Sequence, residues 1–206
     1  MDCSRMQHAV HPTEELEGEN MPVTTLDPKT AVVLIDLQKG IVSLPTAHPT
    51  AEVVKHASQL AEAFRAHKYP VVLVNVAGAA PGRAEQSRSM SDLPADWAEL
   101  VPELNAQPSD HKVTKKTWSA FTNTGLADYL KKAGVTQIVL AGVATSIGVE
   151  STARQAQELG FNVTLAIDAM TDRSLEAHDN SVLRIFPRLG ETGTTSDIIE
   201  LLKKSS

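Results

Sequence analysis

This sequence has a single cysteine, few aromatic residues, no excess of positive charge and no long apolar run. Cys3 has no partner in its own chain, so an intramolecular disulfide is excluded and a reducing, cytoplasmic compartment is expected. The formal net charge of −6 argues against nucleic acid as a partner, because phosphate binding needs a basic surface. No apolar stretch approaches the roughly 18 residues of a membrane-spanning helix, so no membrane partner is predicted.

The chain divides into a short polar leader and a stretch with the length of one domain. Residues 1–20 are polar and acidic, and we predict a flexible N-terminal tail there. Residues 21–206 are long enough to bury a core without a disulfide or a metal. The seven histidines are scattered with no recognisable ligand spacing, so neither a metal site nor a cofactor is predicted.

Four short apolar runs, rich in β-branched residues, predict strands. They cover 31–35, 71–76, 137–141 and 162–167. Each run is continuous rather than alternating, which is typical of strands buried on both faces of a parallel sheet.

Helical periodicity fills the stretches between these runs. The predicted helices cover 53–64, 126–132, 149–159, 175–186 and 198–202. Strands that alternate with helices indicate βαβ units. The sequence therefore predicts a doubly wound three-layer α/β sandwich with a mostly parallel central sheet.

Ligands of such sheets bind beyond the carboxyl ends of the strands. Asp36 follows the first strand, Lys115 follows a short strand candidate at 111–114, and Asp168 ends the strand that begins at 162. We expect Asp36 and Lys115 to form a pair able to donate or accept a proton, because burial and a neighbouring charge shift a carboxyl pKa. A loop cap for the aspartate and a solvated surface position for the lysine are the bland alternatives.

The turn at Ala144–Gly148 is a second candidate, because backbone N–H groups at a helix start favour anions. Ala144 and Thr145 are predicted substrate contacts there, and Gly148 permits close approach of a ligand to the backbone. Plain packing of helix on sheet explains Gly148 equally well.

Three segments in order resemble the isochorismatase-like hydrolases: IDLQ at 35–38, TKKTWSAF at 114–121 and AGVATSIGVESTAR at 141–154. The later DAM at 168–170 and EAHDNSVLRIFPR at 176–188 stand in suitable places. The resemblance implies a doubly wound α/β fold, a small-molecule substrate and a homo-oligomer. The IGVESTAR pattern is most similar to that of a group of uncharacterised bacterial members.

Most members of that family are cysteine hydrolases that cleave amides with an aspartate, a lysine and a cysteine. The resemblance places the aspartate at Asp36, the lysine at Lys115 and the cysteine position at Gly148. Glycine cannot form a thioester, so cysteine-amidase activity is not expected. Isochorismatases of siderophore and phenazine pathways also have glycine there, and they hydrolyse a vinyl ether with the aspartate as general acid and no covalent step.

Three functions stay open at this point. The chain hydrolyses a vinyl ether by acid catalysis at Asp36, it binds a small molecule without catalysis, or it is an amidase with an unusual nucleophile such as Ser146. Further substrate contacts are predicted at Gln38, which points to the same side as Asp36, and at Trp118 and Phe121. Core packing is the competing interpretation of Trp118 and Phe121.

Overall fold

A computed structural model describes residues 23–86 and 93–204, so the predicted tail at residues 1–20 lies outside the described residues. The fold is built on one six-stranded sheet in which every pairing is parallel. The strands are β1 (Thr30–Ile35), β2 (Val71–Val76), β3 (His111–Lys115), β4 (Gln137–Val143), β5 (Asn162–Thr171) and β6 (Glu191–Gly193), in the order β3-β2-β1-β4-β5-β6. The predicted α/β class with a mostly parallel sheet is confirmed.

Helices cover both faces of this sheet, which is why its central strands are continuously apolar. They are α1 (Lys39–Val42), α2 (Thr50–Ala66), α3 (Leu126–Lys132), α4 (Glu150–Glu158), α5 (Leu175–Asn180) and α6 (Thr195–Lys204). Every residue of β1 is buried. Val32 and Leu34 pack with α2 and α6, whereas Val33 and Ile35 pack with α3 and α4 on the opposite face.

Several element boundaries differ from those predicted, and two of the differences have a clear physical reason. β4 runs on to Val143, because Gly142 adopts φ +124° and a Cβ atom there would lie 2.0 Å from the Ile35 carbonyl oxygen. Only glycine permits this approach of β4 to β1. The helix predicted at 175–186 breaks into α5, a π-helical turn at Ser181–Ile185 and a 3₁₀ turn at Phe186–Arg188. Pro187 lies in the 3₁₀ turn, where its missing N–H cannot continue α-helical bonding.

The described residues contain neither a candidate membrane-spanning helix nor a candidate cluster of metal ligands. Across residues 23–86 and 93–204, no helix combines the length and apolarity needed to cross a membrane. The same residues hold no group of three or more histidine, cysteine, aspartate or glutamate side chains placed to share a metal ion.

Candidate active site

The carboxyl edge of the sheet brings Asp36 and Lys115 together. Asp36 follows β1 directly, and Lys115 is the last residue of β3, with only β2 between the two strands. The Lys115 Nζ atom donates to Asp36 Oδ2 at 2.8 Å and to the Thr117 carbonyl oxygen at 3.1 Å. Both residues are buried, with 5% of Asp36 and 2% of Lys115 exposed. The expected acid–cation pair is therefore present in the fold.

Asp36 is poised to carry a proton near neutral pH. Burial raises the pKa of its carboxyl from 3.8 to about 6, and this effect exceeds the opposing influence of the Lys115 charge and hydrogen bond. Its Oδ1 atom is buried and has no hydrogen-bond partner among the described residues. The Asp36 backbone is left-handed, with φ +52°, a region that few residues other than glycine adopt. A strained, desolvated carboxyl with one free oxygen is typical of a functional site.

Gly148 lies close against this pair. A Cβ atom built there would lie 3.0 Å from Ile35 Cγ2, 3.3 Å from Asp36 Oδ2 and 3.7 Å from Lys115 Nζ. A side chain at position 148 would thus contact both charged groups. Because contacts of 3.0–3.3 Å are tighter than ordinary van der Waals contact, glycine lets the turn lie this close to the buried carboxyl.

The turn that holds Gly148 is fixed by Asp172, a residue that the sequence did not single out. Thr145–Val149 forms a π-helical turn after the cis peptide Val143–Ala144. Asp172 Oδ2 accepts hydrogen bonds from the Ser146 backbone N–H and the Ser146 hydroxyl, both at 2.8 Å. Its other oxygen accepts the Arg173 N–H at 2.7 Å.

Asp168 does not stand at the sheet edge as expected, because β5 continues past it to Thr171. Its Oδ1 atom accepts the Thr195 N–H at 2.7 Å and the Thr195 hydroxyl at 2.9 Å, so it caps α6. The first residue beyond β5 is Asp172, which takes the edge position predicted for Asp168. Asp172 would have been a candidate if the end of β5 had been predicted correctly.

Ser146 lacks the partner that a serine nucleophile needs. Its hydroxyl donates to Asp172, and no histidine contacts it in the part of the chain that the structure describes. The nearby His178 instead shares a 2.9 Å hydrogen bond between its Nδ1 atom and the Thr145 hydroxyl. Without a base to take its proton, the Ser146 hydroxyl is a poor nucleophile.

The side-chain amide of Gln38, which was predicted to bind substrate, forms hydrogen bonds with the backbone instead. Its Nε2 atom donates to the carbonyl oxygens of Val76 and Trp97, each at 3.1 Å, and its Oε1 atom accepts the Val76 N–H at 2.7 Å. The residue is completely buried. Gln38 thus joins the ends of β1 and β2 to the segment around Trp97 and has no polar atom left for a ligand.

Gln38→Met is expected to lower the free energy of unfolding by about 3 kcal/mol, because buried backbone groups lose their partner. Urea unfolding of the variant measures the loss. Gln59→Met, at an exposed position of α2, is the matched control and should change stability by less than about 0.5 kcal/mol. Equal stability of the two variants would contradict this role of Gln38.

The other four predicted substrate contacts divide between rim and core. Trp118 is 63% exposed and follows Thr117, whose carbonyl holds Lys115, so it stands at the rim of the site. Phe121 is buried and stacks on Phe161 with ring centroids 5.9 Å apart, which is core packing. Thr145 is completely buried, and Ala144 is partly exposed and accepts the first hydrogen bonds of the π-helical turn.

Comparison with known proteins gives the family. The family model "Isochorismatase domain" matches residues 30–197, which include Asp36, Lys115 and Gly148. The chain belongs to the isochorismatase family. Its members are hydrolases, which agrees with a site built on a buried acid and a lysine.

Two curated relatives of this isochorismatase-family chain are bacterial and of similar length. The isochorismatase family protein YwoC of Bacillus subtilis is 44% identical, with 85% of this chain and 95% of the relative covered. The family protein YecD of Escherichia coli O157:H7 is 43% identical, with 84% and 96% covered. The solved structure of an isochorismatase family protein from Burkholderia thailandensis superposes with a TM-score of 0.83 at 42% identity, covering 87% of this chain and 98% of that one.

Proposed function

We propose that this isochorismatase-family hydrolase cleaves a vinyl ether in a small molecule, with Asp36 as general acid and no covalent intermediate. One observation carries the proposal: Asp36 is a buried carboxyl whose Oδ1 atom has no partner among the described residues, and the neighbouring Gly148 offers no nucleophile. Isochorismate, whose hydrolysis gives pyruvate and a dihydroxy acid, is the substrate that we propose to test first.

The reaction begins with protonated Asp36. Its carboxyl proton passes to the terminal methylene carbon of the vinyl ether, and the C=C electron pair forms the new C–H bond. The adjacent carbon becomes an oxocarbenium ion, and Asp36 becomes a carboxylate. A water molecule adds to that carbon and returns a proton to Asp36. The hemiketal hydroxyl then loses its proton and its oxygen forms the C=O bond of pyruvate. The bond to the ether oxygen breaks as this oxygen takes up a proton and leaves as the alcohol.

Lys115 acts through Asp36 in this scheme. Its hydrogen bond occupies Oδ2 and leaves the Oδ1 atom without a partner among the described residues. Its positive charge stabilises the carboxylate that forms as the proton leaves, so the acid is stronger than burial alone would make it. The Thr117 carbonyl fixes the ammonium group in place.

Two observations disfavour the remaining functions. An amidase needs a nucleophile, and position 148 has none while the Ser146 hydroxyl is hydrogen-bonded to Asp172. A protein that merely binds a ligand gains nothing from a buried, partnerless carboxyl oxygen in a strained backbone, since both cost stability.

Pyruvate release from isochorismate, followed with a coupled dehydrogenase, tests the proposal. We expect turnover above the spontaneous rate, equal turnover by Ser146→Ala, and no acyl adduct by intact-protein mass spectrometry. Absence of turnover would remove isochorismate and favour a binding protein. A trapped adduct that Ser146→Ala abolishes would instead establish a covalent amidase-like mechanism.

The rate should fall as the pH rises. Only protonated Asp36 donates, and burial raises the pKa of its carboxyl to about 6. We therefore expect kcat/KM, corrected for the spontaneous reaction, to be level below that pH and to fall about tenfold per pH unit above it. A profile measured from pH 4.5 to 9 checks this, and a rate that rises through pH 6 would make Asp36 a base.

We also propose that the chain works in the cytoplasm as a homo-oligomer. The exposed side chains of Leu175 and Leu183, both on the segment that follows β5, support an apolar contact with another copy. Light scattering at micromolar concentration measures the assembly directly, and a monomeric mass would contradict the proposal.

A further inference from the structure

A second cavity lies at β5, and neither Asp36 nor Lys115 lines it. It has a volume of about 390 Å³ and sits between the start of α2, the carboxyl half of β5 and the segment after α5. Pro49, Val53, Ile167, Met170 and Val182 make its apolar walls. Pockets for small ligands occupy roughly 300–1,000 Å³ and combine apolar walls with a few convergent polar groups.

Two histidines supply convergent polar groups in this cavity. His48 and His178 both line it, and their rings meet edge-on with centroids 4.6 Å apart. His178 is only 7% exposed. Each ring uses Nδ1 for a hydrogen bond to a threonine hydroxyl, and neither Nε2 atom has a partner within residues 23–86 and 93–204. Neither Nε2 atom is a buried, unsatisfied group, so both are accessible to a ligand or to water in the cavity.

The threonine contacts favour one position of the proton on each ring. Thr171 Oγ1 accepts the His48 backbone N–H at 3.1 Å, and its own hydrogen has two acceptors within reach, His48 Nδ1 at 3.1 Å and the Asp172 carbonyl oxygen at 3.5 Å. The shorter contact favours donation to His48 Nδ1. The Thr145 hydroxyl has one acceptor among the described residues, His178 Nδ1 at 2.9 Å. Each hydroxyl is satisfied when it donates to Nδ1. Both imidazoles then carry their proton on Nε2 and present an N–H donor.

The charges around the cavity select against an anion. Glu52 and Asp168 line it, and Asp172 and Asp179 lie near His178. Burial and the neighbouring His48 lower the pKa of His178, although the two aspartates oppose this, so its ring is neutral at pH 7. Imidazole N–H donors among these carboxylates suit an uncharged acceptor such as a ketone, ester or amide oxygen.

We propose that this cavity binds an uncharged small molecule with an apolar body and a carbonyl oxygen, which accepts hydrogen bonds from the His48 and His178 imidazoles. The site is separate from the chemistry at Asp36. It is connected to the turn before Gly148, since the ring that would contact the ligand also holds Thr145.

Three probes of similar size test separately the contributions of the apolar body, the hydrogen-bond acceptor and the absence of charge. Acetophenone has a ring and a carbonyl, ethylbenzene lacks the acceptor, and benzoate carries a charge. Titrations of the full chain are followed by the imidazole ¹⁵N resonances of its histidines. We expect acetophenone to bind at least tenfold more tightly than either other probe and to shift the Nε2 signals of His48 and His178. Equal binding of acetophenone and ethylbenzene, tighter binding of benzoate, or unshifted signals would overturn the proposal.

Variants assign the donors. His48→Phe keeps the aromatic wall but removes one N–H, and His178→Phe removes the other. Each should weaken acetophenone at least tenfold and leave ethylbenzene within twofold, while the control His67→Phe, at the far end of α2, should change neither. If His178→Phe does not fold because Thr145 loses its partner, the His48→Phe variant still tests the proposal, since His48 is partly exposed. Unchanged affinity of His48→Phe for acetophenone would overturn the assignment.

Discussion

Asp36→Asn is expected to lower kcat for vinyl-ether hydrolysis by about 10²–10⁴-fold, the usual contribution of a general acid. Asparagine has almost the same shape as aspartate, and its side chain also tolerates the left-handed backbone found at this position. It can accept the Lys115 hydrogen bond, but it has no acidic proton to give. The coupled pyruvate assay measures the loss.

Substrate binding should survive this change. An analogue whose vinyl group is reduced to ethyl cannot react, and calorimetry should give it the same affinity for the parent and for Asp36→Asn within about threefold. Asp128→Asn, on the exposed face of α3, is the matched control and should keep full activity. If Asp36→Asn retained turnover within tenfold of the parent, proton donation by Asp36 would be wrong.

Lys115→Met should have the largest effect on stability, because it removes the cation from a buried ion pair and leaves the carboxylate alone. Loss of one partner of such a pair costs about 3–5 kcal/mol. The cost depends on pH, since burial raises the pKa of Asp36 in the folded chain even with Lys115 present. Without the lysine this pKa rises further, so Asp36 is protonated and uncharged at low pH. The loss of stability in the variant is therefore smaller at low pH.

The sign of the dependence follows from the two states. In the unfolded chain the carboxyl ionises near its ordinary pKa of 3.8, whereas the folded variant holds its proton to a pH above 6. Stability is therefore lost as the pH rises through this window. Urea unfolding at pH 5 and pH 8 should show a larger loss at pH 8, together with a kcat/KM inflection above pH 6. Lys112→Met, exposed on the same strand, is the control, and a pH-independent loss would contradict the pairing.

Local pattern was enough to predict the central strands and the meeting of Asp36 with Lys115. The strands β1, β2, β4 and β5 are apolar runs because helices cover both of their faces, and the carboxyl ends of parallel strands share one edge. β6 escaped prediction because Glu191–Gly193 is only three residues long and carries no apolar run.

Contacts between distant residues account for what the sequence did not reveal. Gln38 is satisfied by Trp97, 59 residues away, and Thr145 by His178, 33 residues away. No periodicity in either segment reports such pairing. Asp172 was missed for a different reason: the apolar run of β5 stops at Ile167, but the strand continues through the polar residue Asp168 to Thr171. The pairing of Asp36 with Lys115 was thus predictable from the sequence, whereas the contacts that support it were not.

The left-handed backbone of Asp36 lowers the stability of the fold at the residue that we propose as the general acid. The conformation costs free energy in any residue except glycine, and the buried ion pair adds a desolvation penalty. Exchanging both members together, as in Asp36→Gly with Lys115→Met, relieves both costs. Directed evolution that selects only for heat resistance would therefore discard the acid and its lysine as a unit, and only a concurrent selection for turnover would retain them.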